Sequence, residues 1–276
     1  MQIRRPADTI RTRTLDPVSL REHFLMDDLF APGEIVLHYV DSDRAVCGSA
    51  VPTGATLVLK GDPIIHAETL CENRELGVLN IGQAGTVSAD GETYTMETGD
   101  CLYLGRGTGN ISFASNNAKT PAEFYLLSYP AQVKHPAKQV RKSEATPVHL
   151  GESETANKRT IYKMIHPGAM PTCQLVMGYT ELEAGNVWNT MPCHTHERRS
   201  EIYLYHGLPD NGAVMHFMGE PEHTRHMVVR NKQAIISPAW SIHSGCGTCA
   251  YSFVWGMGGE NQVFDDMDWV DMQKLR

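Results

Sequence analysis

The stretch Trp188-Asn-Thr-Met-Pro-Cys-His194-Thr-His196-Glu-Arg-Arg-Ser-Glu201-Ile-Tyr-Leu-Tyr-His-Gly207 decides the reading, together with Ser237-Pro-Ala-Trp-Ser-Ile-His243-Ser-Gly245 further on. In an extended strand residues two apart share a face, so His194 and His196 project to one side and Thr195 to the other. A four-residue hairpin loop over Glu197, Arg198, Arg199 and Ser200 sets Glu201 opposite His196, with its carboxylate on that same face. His243, on a later hairpin bounded by Pro238 and Gly245, supplies a fourth donor from a neighbouring strand. Three imidazoles and one carboxylate with open positions beside them suit a divalent first-row ion such as zinc, iron, manganese, nickel or cobalt. The chain has 13 histidines, so ordinary surface histidines are the competing reading. A lone His-x-His leaves the two level; a His-x-His with a downstream Glu and a later His favours the metal.

Outward from this stretch, short runs of Val, Ile, Leu, Phe and Tyr alternate with Gly, Pro, Asn and Asp, the pattern of an all-β sandwich or barrel. Helical periodicity is confined to Pro17 through Met26, where Asp16 caps and Pro17 takes the first turn, and to Asp265 through Gln273. Residues 131–159 are polar and strand-poor and read as a link between two β units. Both sides carry a similar phrase: Gly99-Asp-Cys-Leu-Tyr-Leu-Gly-Arg-Gly before Glu123-Phe-Tyr-Leu-Leu-Ser-Tyr, and Ala234-Ile-Ile-Ser-Pro-Ala-Trp before Tyr251-Ser-Phe-Val-Trp. Two copies of one barrel unit, 1–135 and 136–276, fit the 276 residues at the commonest domain size.

Composition narrows the function classes. Hydrophobic residues make up 41% and charged residues 20%, the range of an ordinary globular chain. With a formal net charge of −8 and no Lys/Arg run to track a phosphate backbone, nucleic acid is excluded as a partner. Met1-Gln-Ile-Arg-Arg-Pro lacks the apolar core of a secretory signal, and no apolar stretch reaches the ~20 residues that span a bilayer, so no membrane partner is expected. Seven scattered cysteines read as reduced thiols, and the protein is expected to be cytoplasmic. Cys246-Gly-Thr-Cys249 lies in a strand-like stretch where residues three apart face opposite ways, and it reads as two small structural cysteines.

The spacing His-x-His, four residues, Glu, distant His resembles the metal signature of the cupin barrels. The surrounding phrases are closer still. Thr172-Cys-Gln-Leu-Val-Met-Gly-Tyr-Thr-Glu-Leu, His216-Phe-Met-Gly-Glu-Pro, Thr224-Arg-His-Met-Val-Val, Trp255-Gly-Met-Gly-Gly-Glu-Asn and, in the first half, Asp27-Asp-Leu-Phe, Glu75-Leu-Gly-Val-Leu-Asn-Ile-Gly and Phe124-Tyr-Leu-Leu-Ser-Tyr-Pro-Ala resemble the 5-keto-4-deoxyuronate isomerase family over nearly the whole chain. The resemblance implies two tandem cupin barrels of jelly-roll type in a homohexamer. It implies one zinc per subunit on His194, His196, Glu201 and His243 of the second barrel, and none in the first. The implied reaction interconverts 5-dehydro-4-deoxy-D-glucuronate and 3-deoxy-D-glycero-2,5-hexodiulosonate in the breakdown of pectin and related polyuronates. A 5-deoxyglucuronate isomerase of inositol breakdown, an iron-dependent cupin dioxygenase and a non-catalytic sugar-binding cupin are the rival readings.

Moving a carbonyl between neighbouring carbons requires a proton to be taken from beside it, with a cation stabilising the enediolate oxygens. Glu197 beside the ligands, Tyr203 and Tyr205 on the strand face of Glu201, and Glu260 after the late glycine-rich turn are the candidates for proton transfer. The substrate carboxylate calls for a planar guanidinium, for which Arg198, Arg199 and Arg225 are the candidates. Trp188, Trp240 and Trp255 read as core.

Overall fold

The structure is a computed structural model describing residues 1–276, and strands dominate it as the β-pattern predicts; the only α-helices are Thr9–Thr12 and Pro17–Phe24. Asp16 caps the second, accepting from the backbone N–H groups of Val18 and Ser19, while Pro17 fills the first turn, where no intrahelical donor is needed. Leu20 and Phe24 are its buried face, with the Phe24 ring edge-on to Trp240 at 6.4 Å.

The chain divides into two compact units, each built from one seven-stranded and one four-stranded sheet, the second also carrying a two-stranded pair. The first comprises Met1–Ile3, Asp28–Ala145 and Met164–Met177. Its larger sheet runs Gln2–Arg4, Ile35–Val40, Ala45–Ala50, Phe124–Pro130, Arg74–Asn80, Cys101–Leu104, Lys138–Val140, and its smaller one Leu57–Val58, Ser112–Ser115, Gly85–Ala89, Glu92–Met96. Leu76, Val78, Leu102, Leu104, Ile111 and Phe113 fill the space between them with hydrocarbon, each stabilising the unit by about 1.5–3 kcal/mol through removal from water. Glu75 is a buried carboxylate in this unit, satisfied by the Tyr103 hydroxyl at 2.8 Å and by the backbone N–H groups of Cys173, Gln174 and Leu175 at 2.7–2.8 Å. A buried anion is tolerable when its lone pairs are occupied in this way.

The second unit comprises Arg4–Asp27, Thr146–Lys163 and Gly178–Arg276. The larger sheet runs Pro147–Leu150, Arg159–Ile165, Val176–Leu182, Ser252–Gly259, Arg199–His206, Gln233–Ser237, Leu25–Met26; the smaller runs Trp188–Asn189, Ser244–Gly247, Val214–Glu220, His223–Val229. The five strands at the heart of each larger sheet follow one another in the same topological order, so the weak phrase repeat reflects a real duplication of the barrel. Residues 131–159, read as a link, contain two edge strands, Lys138–Val140 and Pro147–Leu150.

The expected helix over Asp265–Gln273 is absent. The backbone there turns and then extends as Asp268–Trp269, pairing with His194–Thr195. Carbonyls that a helix would use internally are taken elsewhere: those of Val263, Phe264 and Asp266 accept from the Arg199 guanidinium. The Val270 N–H is likewise drawn to the Cys193 carbonyl at 3.1 Å.

Candidate metal centre

Inside the second barrel His194, His196 and His243 converge, their ligating atoms all within 4.8 Å of one another, and the three side chains are buried. The local route differs from a four-residue hairpin. His194 pairs with Trp269 and Thr195 with Asp268, after which the chain turns tightly at His196–Arg199, closed by the Arg199 N–H on the His196 carbonyl at 3.2 Å. Strand Arg199–His206 begins at once, so Glu201 lies opposite Ser237 and Met257, not opposite His196. Its carboxylate nonetheless reaches the cluster, because Glu201, Tyr203 and Tyr205 share the inward face of that strand.

The donor separations are specific. Nε2 of His194 is 3.0 Å from Nε2 of His196 and 3.0 Å from Nε2 of His243; Oε2 of Glu201 is 3.0 Å from His243 Nε2 and 3.5 Å from His196 Nε2. Two ligands at right angles on bonds of about 2.1 Å lie about 3.0 Å apart, and at tetrahedral angles about 3.4 Å. Burial, then the facing imidazoles of His243 and His196, push His194 down to about 2, leaving it a neutral ring with a lone pair to give. Burial alone would raise the Glu201 carboxyl, but the opposed His243 and His196 hold it below its ordinary value as an anion. Three imidazoles converging beside a carboxylate, with no other polar partner between them, form a donor set that a divalent cation satisfies, so the group fits a metal ion. Behind it, His196 Nδ1 donates to the Asp266 carbonyl at 2.5 Å, and His243 Nδ1 lies 3.4 Å from the Ser241 carbonyl. Fixing Nδ1 in this way turns Nε2 into the donor cluster, where a metal ion would be held.

A cavity of about 180 Å³ opens onto His194, His196 and Glu201. Phe253, Trp255 and Met257 of strand Ser252–Gly259 form one wall, and Phe264, Met267 and Trp269 of the C-terminal segment another. Tyr203 lies on the wall with its hydroxyl 3.2 Å from Thr190 Oγ1 and its ring edge-on to His243 at 5.3 Å. Burial, then the Glu201 charge, raise its phenol well above the usual range, so it keeps its proton. Tyr205 sits apart from the wall, hydrogen-bonded to buried His216 at 2.8 Å.

Several residues expected at the site are elsewhere. Glu197 is exposed in the turn, and Glu260 is exposed with its backbone N–H on the Arg198 carbonyl. Arg198 is held by Asp266 at 2.6 Å and Asp268 at 2.8 Å. Arg199 is buried against the carbonyls of Val263, Phe264 and Asp266 in the C-terminal strap, residues 263–270, and Arg225 donates to the carbonyls of Thr12 and Leu15 at 2.6 and 2.5 Å. In each case a nearer acceptor takes the cation before the cavity can. Of the three tryptophans read as core, Trp255 is buried and on the cavity wall, donating to Thr180 at 3.2 Å, whereas Trp188, stacked on Phe217 at 5.7 Å, and Trp240 are only half-buried. Cys246 sits in strand Ser244–Gly247 opposite Trp188 and Met215, and neither it nor Cys249 lines the cavity. The cation that does line it is Arg159, missed because it was read as the end of a linker. Its signal was the alternation Arg159-Thr-Ile161, which puts Arg159 and Ile161 on one strand face, and both are on the wall.

No helix is long and apolar enough to cross a membrane. Among solved structures, an IolB-like protein from Salmonella typhimurium LT2 is similar with a TM-score of 0.71 over 90% of this chain and 96% of that one at 14% identity. A mutant of Bacillus subtilis oxalate decarboxylase gives 0.55 over 79% and 70% at 11% identity. The fold is therefore the tandem cupin. Two full-length relatives are named 4-deoxy-L-threo-5-hexosulose-uronate ketol-isomerase: one from Lachnoclostridium phytofermentans, 50% identical over all of both chains, and one from Escherichia coli SE11, 48% identical over all of both. The family model described as KduI/IolB matches residues 27–272, nearly the whole of both barrels, and the chain belongs to the KduI/IolB family.

Proposed function

We propose that the protein is a metal-dependent ketol-isomerase that interconverts 5-dehydro-4-deoxy-D-glucuronate and 3-deoxy-D-glycero-2,5-hexodiulosonate in polyuronate breakdown. The observation that carries this is end-to-end identity of 50% with a relative of that name, combined with four convergent donors beside a largely apolar cavity. His194, His196, Glu201 and His243 hold one zinc per subunit in the second barrel, other divalent first-row ions being alternatives, and the first barrel holds none. The working assembly is a homohexamer in the cytoplasm.

A bound divalent ion supplies Lewis acidity to neighbouring carbonyl and hydroxyl oxygens, lowering the barrier to enediolate formation. The protein's own groups shape the cavity around that chemistry. Phe253, Trp255, Phe264 and Met267 exclude water, which strengthens every charge interaction inside and protects the enediol from side reactions. Tyr203, kept as a phenol, directs an O–H at the substrate's carbonyl oxygen and donates as charge develops there. Thr190 accepts from or donates to the same hydroxyl, fixing its direction.

The test is proton NMR of zinc-loaded and chelated protein with 5-keto-4-deoxyuronate in deuterated buffer, with 5-deoxyglucuronate as a control substrate and oxygen uptake followed in parallel. Metal-dependent appearance of the 2,5-diketo acid without oxygen consumption is expected. No conversion by fully metallated protein, or preferential turnover of 5-deoxyglucuronate, overturns the assignment.

A further inference from the structure

Arg159 opens strand Arg159–Ile165 and lies opposite Leu150 of the edge strand Pro147–Leu150. One of its N–H groups donates to the Asn157 carbonyl at 2.8 Å, and no carboxylate lies against it. Neighbouring cations are already committed: Lys158 to Glu183 at 3.1 Å, Lys163 over the Phe264 ring at 3.7 Å, and Arg198 to Asp266 and Asp268. The wall that Arg159 shares is mostly apolar, with the hydroxyls of Thr180, Thr190 and Tyr203, the imidazoles of His194 and His196, and Glu201 its one carboxylate. A guanidinium half removed from water without a counter-charge is costly, and burial depresses its basicity. An anion entering the cavity relieves that cost, and a planar fork with unused N–H groups matches a carboxylate in two-point fashion.

We propose that Arg159 is the carboxylate anchor of this cavity, holding the C6 carboxylate of the uronate so that the opposite, aldehyde end of the six-carbon chain faces His194, His196, Glu201 and His243. This rests on the function proposed above. The charge balance favours it: Glu201 alone cannot neutralise a divalent ion, so the cavity with Arg159 is cationic and selects a monoanion over a neutral sugar. It also sets direction. A carboxylate is itself a good ligand for a divalent ion, and a substrate bound backwards would present that group to the ion and be unreactive. Arg159 is thus a specificity residue that suppresses the reversed mode.

The experiment compares zinc-loaded wild type, Arg159→Met and Arg159→Lys on the substrate and on its C6 methyl ester, with zinc content and melting temperature measured on each. Binding of D-glucuronate and of D-glucose is followed separately by tryptophan fluorescence, since Trp255 and Trp269 are on the wall. For Arg159→Met, KM for the acid is expected to rise about 10- to 100-fold, the worth of a hydrogen bond to a charged group, with glucuronate binding weakened alike. Ester turnover and glucose binding fall far less than acid turnover and glucuronate binding, so the preference for acid over ester narrows. Arg159→Lys, which keeps the charge and loses the fork, falls between. If Arg159→Met does not fold, a loss of acid preference in Arg159→Lys carries the test, and wild-type preference in it overturns the proposal. Unchanged KM and glucuronate affinity in a folded, zinc-replete Arg159→Met also overturn it. Wild type that binds glucuronate through Arg159 but turns over no uronate refutes the proposed reaction while upholding the anion site.

Discussion

Arg199→Met tests whether the metal centre depends on a residue that touches neither metal nor substrate. Arg199 is 1% exposed and holds the C-terminal strap by donating to the carbonyls of Val263, Phe264 at 3.1 Å and Asp266 at 3.4 Å. The Asp266 carbonyl is also the acceptor that orients His196. Three hydrogen bonds from a charged donor at about 1.5–3 kcal/mol each would sum to about 5–9 kcal/mol. That sum overstates the loss, because removing the guanidinium also removes its desolvation cost, and carbonyls freed from it rehydrate once the strap lifts. A net loss of about 2–4 kcal/mol remains, set by acceptors left without donors. The strap carries Phe264, Met267 and Trp269 of the cavity wall, so its release opens the cavity and frees the His196 ring. Loss of such an orienting partner weakens metal binding about 10- to 100-fold. Zinc affinity by chelator competition and amide exchange across residues 263–270 measure the two effects. Arg199→Lys restores part of each, since a single ammonium cannot span three carbonyls. Wild-type zinc affinity together with wild-type exchange protection in Arg199→Met would refute the reasoning.

Three further outcomes are expected. Zinc at 100 times its dissociation constant stabilises by about 2.7 kcal/mol, which for a unit of about 140 residues raises the melting temperature by about 9 °C; calorimetry of His243→Ala should lose the shift, and an equal shift there would put the ion elsewhere. In chelated protein, buried His216, pushed down to about 3 by burial and then by His243, stays neutral while the unfolded chain takes up a proton below about 6.5. The unfolded state then binds more protons, so stability falls as pH drops from about 6.5 towards 3 by up to about 1.4 kcal/mol per unit and is level above; urea titrations should show a shallower fall for His216→Asn, and an unchanged slope would refute the assignment. Gly178→Ala places a Cβ 2.2 Å from the Tyr162 carbonyl oxygen and 2.5 Å from the Trp255 ring, costing about 1–3 kcal/mol by overpacking and displacing a cavity wall; a wild-type melting temperature and wild-type turnover would argue against that contact.

What the sequence made legible is what strand periodicity encodes. His194, His196, Glu201 and His243 could be placed on one side of a barrel because parity along a strand fixes a face whatever the loop between strands does, and the convergence survived a wrongly expected hairpin. The cavity wall was not legible, because it is assembled from segments far apart in sequence whose own composition points elsewhere: Arg159 at the end of a polar stretch, and Phe264, Met267 and Trp269 in a segment with a helical pattern. Arginine type was also uninformative alone, since Arg198, Arg199 and Arg225 find nearer acceptors that only the folded backbone supplies. The duplicated barrel shows how far fold and chemistry separate. Arg74 and Arg199 each begin a strand at the same place in their sheets and are both buried, donating to backbone carbonyls. Two residues on, Glu201 is matched by Leu76; just before the corresponding strands of the smaller sheets, His243 is matched by Ile111. Both Leu76 and Ile111 belong to the hydrocarbon core of the first unit. Where the second unit gathers a carboxylate and an imidazole, the first packs two aliphatic side chains without any change of strand order, so the strand pattern specifies the barrel and a handful of inward side chains decide what it can do.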